Sequence, residues 1–135
     1  MGLFERLKSD NAPTQKELTA EEWSATGTTL AKSGRYQEAK ACYDQALAID
    51  SRHAPAWYHK GATLGVLGRY QEAFQCFDKA LGINSQHAEA CHNKGITLNI
   101  LGHRQEAIQC FEKSLKINPQ NIYAQQAKNL ILRLK

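Results

Sequence analysis

The sequence has no run of apolar residues that approaches the roughly 18 to 20 needed to cross a bilayer. Its start also differs from a secretory signal, because Glu5 stands where such signals are basic and then apolar. No basic stripe is present, since residues 20–121 carry eleven basic against ten acidic side chains. We therefore expect a cytoplasmic protein without a membrane span, and one that does not bind the phosphates of nucleic acids.

Motifs of catalysis and of metal binding are missing as well. The chain contains no nucleophile elbow, no phosphate-binding loop and no HExxH, and its four cysteines include no C-x-x-C pair. Cys42, Cys76 and Cys110 recur inside apolar patterns, which is typical of small buried residues in a reducing compartment. His59 and His92 could in principle support metal binding or acid–base chemistry, but lone histidines on a groove wall more often only hydrogen-bond. We therefore predict that the protein is not an enzyme and uses no metal or cofactor.

The sequence repeats itself with a period of 34 residues. Residues 54–87 and 88–121 are identical at 19 of 34 aligned positions without a gap, and residues 20–53 and 54–87 at 18. A fixed period of this length indicates a stack of similar supersecondary units. We predict repeats at 20–53, 54–87 and 88–121, preceded by an N-terminal segment, 1–18, and followed by a capping helix, 122–135.

Each repeat is predicted to be two helices joined by a glycine turn. In the first helix an aromatic residue or Cys, a Gly and a Leu recur at helical spacing, as Trp23, Gly27 and Leu30, Trp57, Gly61 and Leu64, and Cys91, Gly95 and Leu98. In the second helix the spacing is i, i+4, i+7 and i+8, as in Ala39, Tyr43, Ala46 and Leu47. Gly34, Gly68 and Gly102 follow the first helices, where a left-handed residue commonly ends a helix.

Start and stop signals agree with these boundaries. Thr19-Ala-Glu-Glu22 is a capping box, Pro55 falls in a first helical turn, and Asn118-Pro119 ends the last second helix. Glycine within a helix costs about 0.8 to 1 kcal/mol relative to alanine, so the three glycines at one position need a compensating role. We predict that they let the second helix approach closely, and that the aromatic residue of each second helix fills the seam to the next repeat.

The combination W-x3-G-x2-L, Gly-Arg-Tyr and Ala-x3-Tyr/Phe-x2-Ala at period 34 resembles the tetratricopeptide repeat over residues 20–121. The resemblance implies an all-α fold, a right-handed superhelical solenoid of antiparallel helix hairpins. It also implies a protein–protein interaction scaffold whose concave groove, lined by the first helices, binds a peptide or helix segment of a partner. The family usually has Leu before the helix Gly, and this chain has Thr26, Lys60 and Lys94 there.

Carried over position by position, the resemblance places a mixed set of side chains on the groove wall. They are Ser24, Thr28, Tyr58, His59, Ala62, Val66, His92, Asn93, Ile96, Asn99, Tyr123 and Gln126. One subgroup of the family grips a terminal carboxylate with basic residues and asparagines, but this chain has Ser24, His59 and Glu89 at three of those places. Because a carboxylate needs cations to offset its desolvation, we expect an uncharged or weakly amphipathic ligand instead.

The two ends of the stack carry separate predictions. In the capping helix an apolar stripe is expected at Tyr123, Ala124, Ala127, Leu130, Ile131 and Leu134, while Gln125 and Asn129 replace the residues that would pack against a further helix. In the N-terminal segment Leu3, Phe4 and Leu7 would share one face if residues 3–8 are helical. Stack ends or this segment could instead join copies of the chain, so a homo-oligomer is the alternative function.

Overall fold

A computed structural model describes residues 17–133, which form seven α-helices and no strand. The helices are α1 (Ala20–Lys32), α2 (Tyr36–Ile49), α3 (Ala54–Val66), α4 (Tyr70–Ile83), α5 (Ala88–Ile100), α6 (Arg104–Ile117) and α7 (Ile122–Arg133). In this range no helix is both long enough and apolar enough to span a lipid bilayer. The helix predicted at residues 3–8 lies outside the described residues.

The helices pack as consecutive hairpins. The first helices, α1, α3 and α5, each pack along the second helix that follows, α2, α4 and α6, and each second helix also packs against the next first helix. Helix α7 continues this order by packing against α6. Neighbouring first helices touch one another on the same side of the stack. The predicted all-α solenoid of helix hairpins with a terminal capping helix is thus confirmed.

The predicted helix ends are confirmed in atomic detail. The Thr19 N–H donates to Glu22 Oε1 and the Glu22 N–H donates to Thr19 Oγ1, both at 3.1 Å, which completes the capping box. Pro55 lies in the first turn of α3. The glycines after the three first helices have φ values of 79°, 77° and 91°, a left-handed region that side chains with a Cβ rarely adopt.

A glycine at the same position of each first helix lies directly beneath an aromatic ring. A Cβ added at Gly27, Gly61 or Gly95 would come within 2.7 Å of the ring of Tyr43, Phe77 or Phe111, respectively. The prediction of close approach is therefore confirmed. Each ring lies against the glycine of its own hairpin. The rings also reach the next element of the stack, as predicted, because Tyr43 stacks against His59 of α3 and Phe111 belongs to a cluster with Ile131 of α7.

Tyr43 differs from its two phenylalanine equivalents because it joins the first two hairpins through its hydroxyl. That oxygen lies 3.2 Å from Thr28 Oγ1 on α1, and Thr63 on α3 lies close enough to affect its pKa. Its ring stacks against His59 with 6.0 Å between centroids. The side chain is buried, so the hydroxyl has no ready replacement from solvent.

Removing this hydroxyl is expected to weaken the junction without changing the ring. Tyr43→Phe should lower the free energy of unfolding by about 1 kcal/mol in urea denaturation, the usual net value of a buried hydrogen bond. Tyr70→Phe removes the same atom from a half-buried tyrosine at the start of α4, and we expect a change below about 0.5 kcal/mol. Equal effects of the two substitutions would contradict a role for the Tyr43 hydroxyl.

A ladder of ion pairs follows the stack from one hairpin to the next. A Lys of each later first helix pairs with an acid of the preceding second helix, as Lys60–Asp44 at 2.7 Å, Lys94–Asp78 at 2.6 Å and Lys128–Glu112 at 3.6 Å. Burial alone would raise the pKa of Asp44, but hydrogen bonds and charges of Lys60 and Lys40 outweigh it and lower that pKa. The departure from the family's Leu at Lys60 and Lys94 therefore forms inter-hairpin contacts.

The capping helix buries only part of the predicted apolar stripe. Ala124 and Ile131 are buried, whereas Leu130 is 61% exposed and Tyr123, also predicted on the groove wall, is 71% exposed. The reason is that α7 follows the 34-residue period, so position 131 corresponds to the buried Thr63 and Thr97, whereas position 130 corresponds to Ala62 and Ile96 beside the groove. Gln125 and Asn129 are exposed as predicted and hydrogen-bond each other at 3.0 Å. Leu134 lies outside the described residues.

Candidate functional site

The contacting first helices line a series of cavities along one side of the stack. An apolar cavity of about 290 Å³ lies between α3 and α5. Its lining consists of Gly61, Ala62, Gly65, Val66, Tyr70, Phe77, Asn93, Ile96, Thr97 and Ile100. Val66, Ile96 and Ile100 are exposed aliphatic side chains, although other residues of the same lining are buried. Exposed aliphatic residues grouped around a concave surface are typical of a binding site.

A polar cavity of about 420 Å³ lies next to it, between α3, α5 and the start of α7. Its lining consists of Tyr58, Glu89, His92, Asn93, Asn118, Gln120, Asn121, Ile122 and Tyr123. Asn93 belongs to both cavities and donates from Nδ2 to the Tyr58 hydroxyl at 3.1 Å, which ties α5 to α3. This arrangement offers hydrogen-bond donors and acceptors beside an apolar surface.

Burial shifts the pKa values of two side chains that line the polar cavity. Burial lowers the pKa of His92, so its imidazole is neutral at neutral pH. His92 Nδ1 is buried and has no hydrogen-bond partner among the described residues, and the ring lies 5.5 Å from the Phe111 ring. Burial, the charge of Glu89 and a hydrogen bond to Glu89 raise the pKa of Tyr58. A neutral histidine and a protonated tyrosine are therefore available for hydrogen bonding.

The N-terminal end of the groove holds three further predicted residues. His59, Ser24 and Thr28 line a cavity of about 520 Å³ between α1 and α3, together with Glu21 and Lys32. Ser24 was predicted on the groove wall but is only 5% exposed, so its side chain is buried on α1. Thr28 Oγ1 is engaged by the Ser24 carbonyl oxygen and by Tyr43, so it has little capacity left for a ligand. Burial and nearby His87 lower the pKa of His59.

The structure brings together most, but not all, of the predicted groove residues. Tyr58, His92, Asn93 and Tyr123 share the polar cavity, and Ala62, Val66 and Ile96 share the apolar cavity with Asn93. His59 faces the cavities next to α1 and does not meet His92. Asn99 is half-buried and Gln126 is exposed, and neither lines these cavities.

Sequence reasoning missed several lining residues. Ile100 occupies the position of Val66 one period later, so the repeat itself carried the signal for it. For Asn118, Gln120 and Asn121 the repeat indicates the turn, which recurs at Asp50 and Asn84, but not that its side chains line a cavity. That turn is held by Asn118 Oδ1, which accepts from the Gln120 N–H at 3.3 Å.

The cysteines have the properties of buried thiols. All four are free, and Cys42, Cys76 and Cys91 are buried. Burial, assisted by the charge of Glu38, raises the pKa of Cys42 to about 11, and burial also raises the pKa of Cys76, Cys91 and Cys110. A protonated thiol is a poor nucleophile and a poor metal ligand. Residues 17–133 contain no group of three or more His, Cys, Asp or Glu side chains arranged to hold a metal ion.

Comparison with family models gives one consistent description. A model described as a tetratricopeptide repeat matches residues 24–88, and a second model with that description matches residues 88–121. Together the two matches include the residues of α3 and α5 that line both cavities. No curated protein matches the sequence.

Solved structures with the same fold include complexes with peptides. The crystal structure of MamA is similar with a TM-score of 0.84 and 24% identity, over 96% of this chain and 73% of MamA. The first TPR of Spaghetti (RPAP3) bound to HSP90 peptide SRMEEVD is similar with a TM-score of 0.84 and 22% identity, over 85% and 91% of the two chains. The second TPR domain of human RPAP3 in complex with an HSP70 peptide has a TM-score of 0.79 and 26% identity, over 83% and 93%.

Proposed function

The chain belongs to the tetratricopeptide repeat family, and we propose that it is a protein-interaction scaffold whose groove of first helices binds a peptide or helix segment of a partner protein. Its repeats are proposed to be residues 20–53, 54–87 and 88–121. The observation that carries the proposal is the pair of adjoining cavities, one apolar and one polar, joined at Asn93. A peptide segment presents the same two chemistries, since its backbone is polar and its side chains include apolar ones.

The exposed aliphatic residues favour this groove over other surfaces. Val66 and Ile100 hold equivalent positions on α3 and α5, and Ile96 and Leu130 hold equivalent positions on α5 and α7. The exposed residues therefore follow the stack as a strip instead of being scattered. Leaving such a strip in water is unfavourable, so its recurrence on the contacting helices supports a binding role.

The ligand we propose differs from the acidic peptides named for two of the similar structures. Neither cavity is lined by a Lys or Arg among the described residues, so neither offers a cation to a terminal carboxylate. We propose that the groove is not of the carboxylate-clamp type, that the protein is not an enzyme, and that it acts in the cytoplasm, where its four free thiols stay reduced.

A charge placed in the apolar cavity is expected to weaken peptide binding strongly. The full chain would be immobilised and used to select ligands from a library of random peptides of about 12 residues, which span about 40 Å when extended. Ile100→Asp should weaken binding of the selected peptides at least tenfold, because the new carboxylate would have to be desolvated when a peptide binds. The expected change is measured by fluorescence anisotropy.

Ile49→Asp is the matched control for this substitution. Ile49 and Ile100 are the last residues of α2 and α5 and are 55% and 51% exposed, so the two changes place the same charge at the same kind of helix end. Ile49 lines none of the cavities described above, and Ile49→Asp should leave binding within about twofold. Equal losses, or a library that yields no ligand, would contradict the proposed function.

Self-assembly is the second candidate, and a specific residue on α7 favours it. Leu132 is 41% exposed, although its equivalents Leu64 and Leu98 are buried by a second helix that α7 lacks among the described residues. A second copy that covers this face would bury Leu132. Sedimentation velocity over a concentration series should then show association that Leu132→Asp removes, whereas a concentration-independent monomer would exclude this candidate.

A further inference from the structure

The polar cavity is anionic. Among the described residues that line it, Glu89 alone carries a formal charge at neutral pH, since burial keeps His92 neutral. Glu89 takes part in none of the ion pairs of the described residues, in which Lys and Arg side chains pair with Asp44, Asp78, Glu112 and acids at the starts of second helices. Its carboxylate is close enough to Tyr58 and His59 to shift both groups. The cavity thus holds one negative charge without a counter-ion.

The surroundings of Glu89 suit a cation rather than any other group. The Tyr123 ring lines the same cavity and is 71% exposed, and an aromatic face attracts ammonium and guanidinium groups. The Tyr58 ring also lines the cavity but already packs against His59, His87 and Phe77. The amide side chains of Asn118 and Asn121 add carbonyl oxygens, which accept from N–H donors. A carboxylate flanked by rings and amide oxygens can receive the several N–H groups of a basic side chain, whereas an incoming carboxylate would meet repulsion.

We propose that the polar cavity recognises an arginine or lysine side chain of the partner peptide, held by Glu89 beside the ring of Tyr123. This inference rests on the proposed peptide-binding function and specifies its ligand. The neighbouring apolar cavity then receives an aliphatic residue of the same peptide, because Asn93 joins the two cavities. The groove therefore selects a segment that combines one basic and one aliphatic residue, a charge preference opposite to that of a groove for acidic tails.

The test uses peptides selected by the full chain from the random library. Each selected peptide is expected to contain a basic residue, and changing that residue to Gln should weaken binding about fivefold. Glu89→Gln should weaken binding of the basic peptide by the same factor. It should change binding of the Gln-substituted peptide less than about twofold, so the effects of the two substitutions are not additive. Binding of the basic peptide should also weaken as NaCl rises from about 0.05 M to about 0.5 M, and less so for Glu89→Gln.

Asp50→Asn provides the control. Asp50 is exposed at the C-terminal end of α2 and lines none of the cavities described above, so a single negative charge is removed outside the groove. It should change binding of the basic peptide less than about twofold. Selected peptides that lack a basic residue but still lose binding on Ile100→Asp would overturn this inference and leave the proposed function standing. Absence of any selected peptide would overturn both.

Discussion

Ala73→Asp is expected to remove much of the protein's stability. Ala73 on α4 is fully buried and belongs to a cluster with Leu64, Cys76 and Phe77. An aspartate there would place an unpaired carboxylate in a close contact between helices, at a cost of about 4 kcal/mol. Because a small domain has a stability of about 5 to 15 kcal/mol, this single change removes much of it. The loss is measured as ellipticity at 222 nm during urea denaturation.

Ala48→Asp is the control for the introduced charge. Ala48 lies on α2, also a second helix, but its side chain is exposed. The same substitution there should lower the free energy of unfolding by about 1 kcal/mol, which combines the poorer helix propensity of Asp with its position near a helix C-terminus. If Ala73→Asp and Ala48→Asp gave the same midpoint, α4 would not be packed as described.

Gly61→Val should lower the free energy of unfolding by about 3 kcal/mol. The Cβ of any residue at this position would lie 2.7 Å from Phe77 Cε1 and 3.1 Å from Cys76 Cβ. Phe77 is buried and surrounded by the cluster on α4, so the ring cannot move aside without opening the hairpin. Overpacking of a tight core typically costs about 1 to 3 kcal/mol, and the branched valine is at the upper end.

Gly65→Val is the matched substitution one helical turn later on the same helix. A Cβ at Gly65 has no atom within 4 Å, so the new side chain meets open space. Valine has the better helix propensity of the two residues, and we expect the stability to stay constant or to rise by about 0.5 kcal/mol. A loss of stability for Gly61→Val without a loss for Gly65→Val in urea denaturation would demonstrate that Gly61, and not glycine in α3 generally, is required for packing. Similar losses for both would contradict this.

The period and the small residues allowed the fold to be predicted because both are local properties of the chain. Gly61 had to be compensated by a close contact, and the ring of Phe77 supplies it. The capping box at Thr19 is likewise read from two residues three positions apart. The apolar stripe of the capping helix did not indicate which of its members would be buried, since Ala124 and Ile131 are buried and Leu130 is exposed. An apolar pattern alone does not tell which side of a terminal helix has a neighbour, whereas the period does.

The candidate site could be predicted less completely than the fold. The wall formed by Tyr58, Val66, Asn93 and Ile96 follows from the repeat, because each first helix contributes the same positions. The lining by the α6–α7 turn could not be predicted, since it depends on how a short loop places its side chains. The role of Glu89 also needed the structure, because its lack of an ion pair depends on where every lysine and arginine of the described chain lies. A charged residue in a sequence does not reveal its counter-ion.

The most direct test of a groove formed by the first helices is an NMR titration of the full 15N-labelled chain with a selected peptide. We expect the largest amide shifts at Val66, Asn93 and Ile100, which surround the apolar cavity, and little change at Ile49. Shifts concentrated at Lys79 and Lys113 on the second helices, with those of the groove residues unchanged, would contradict the account.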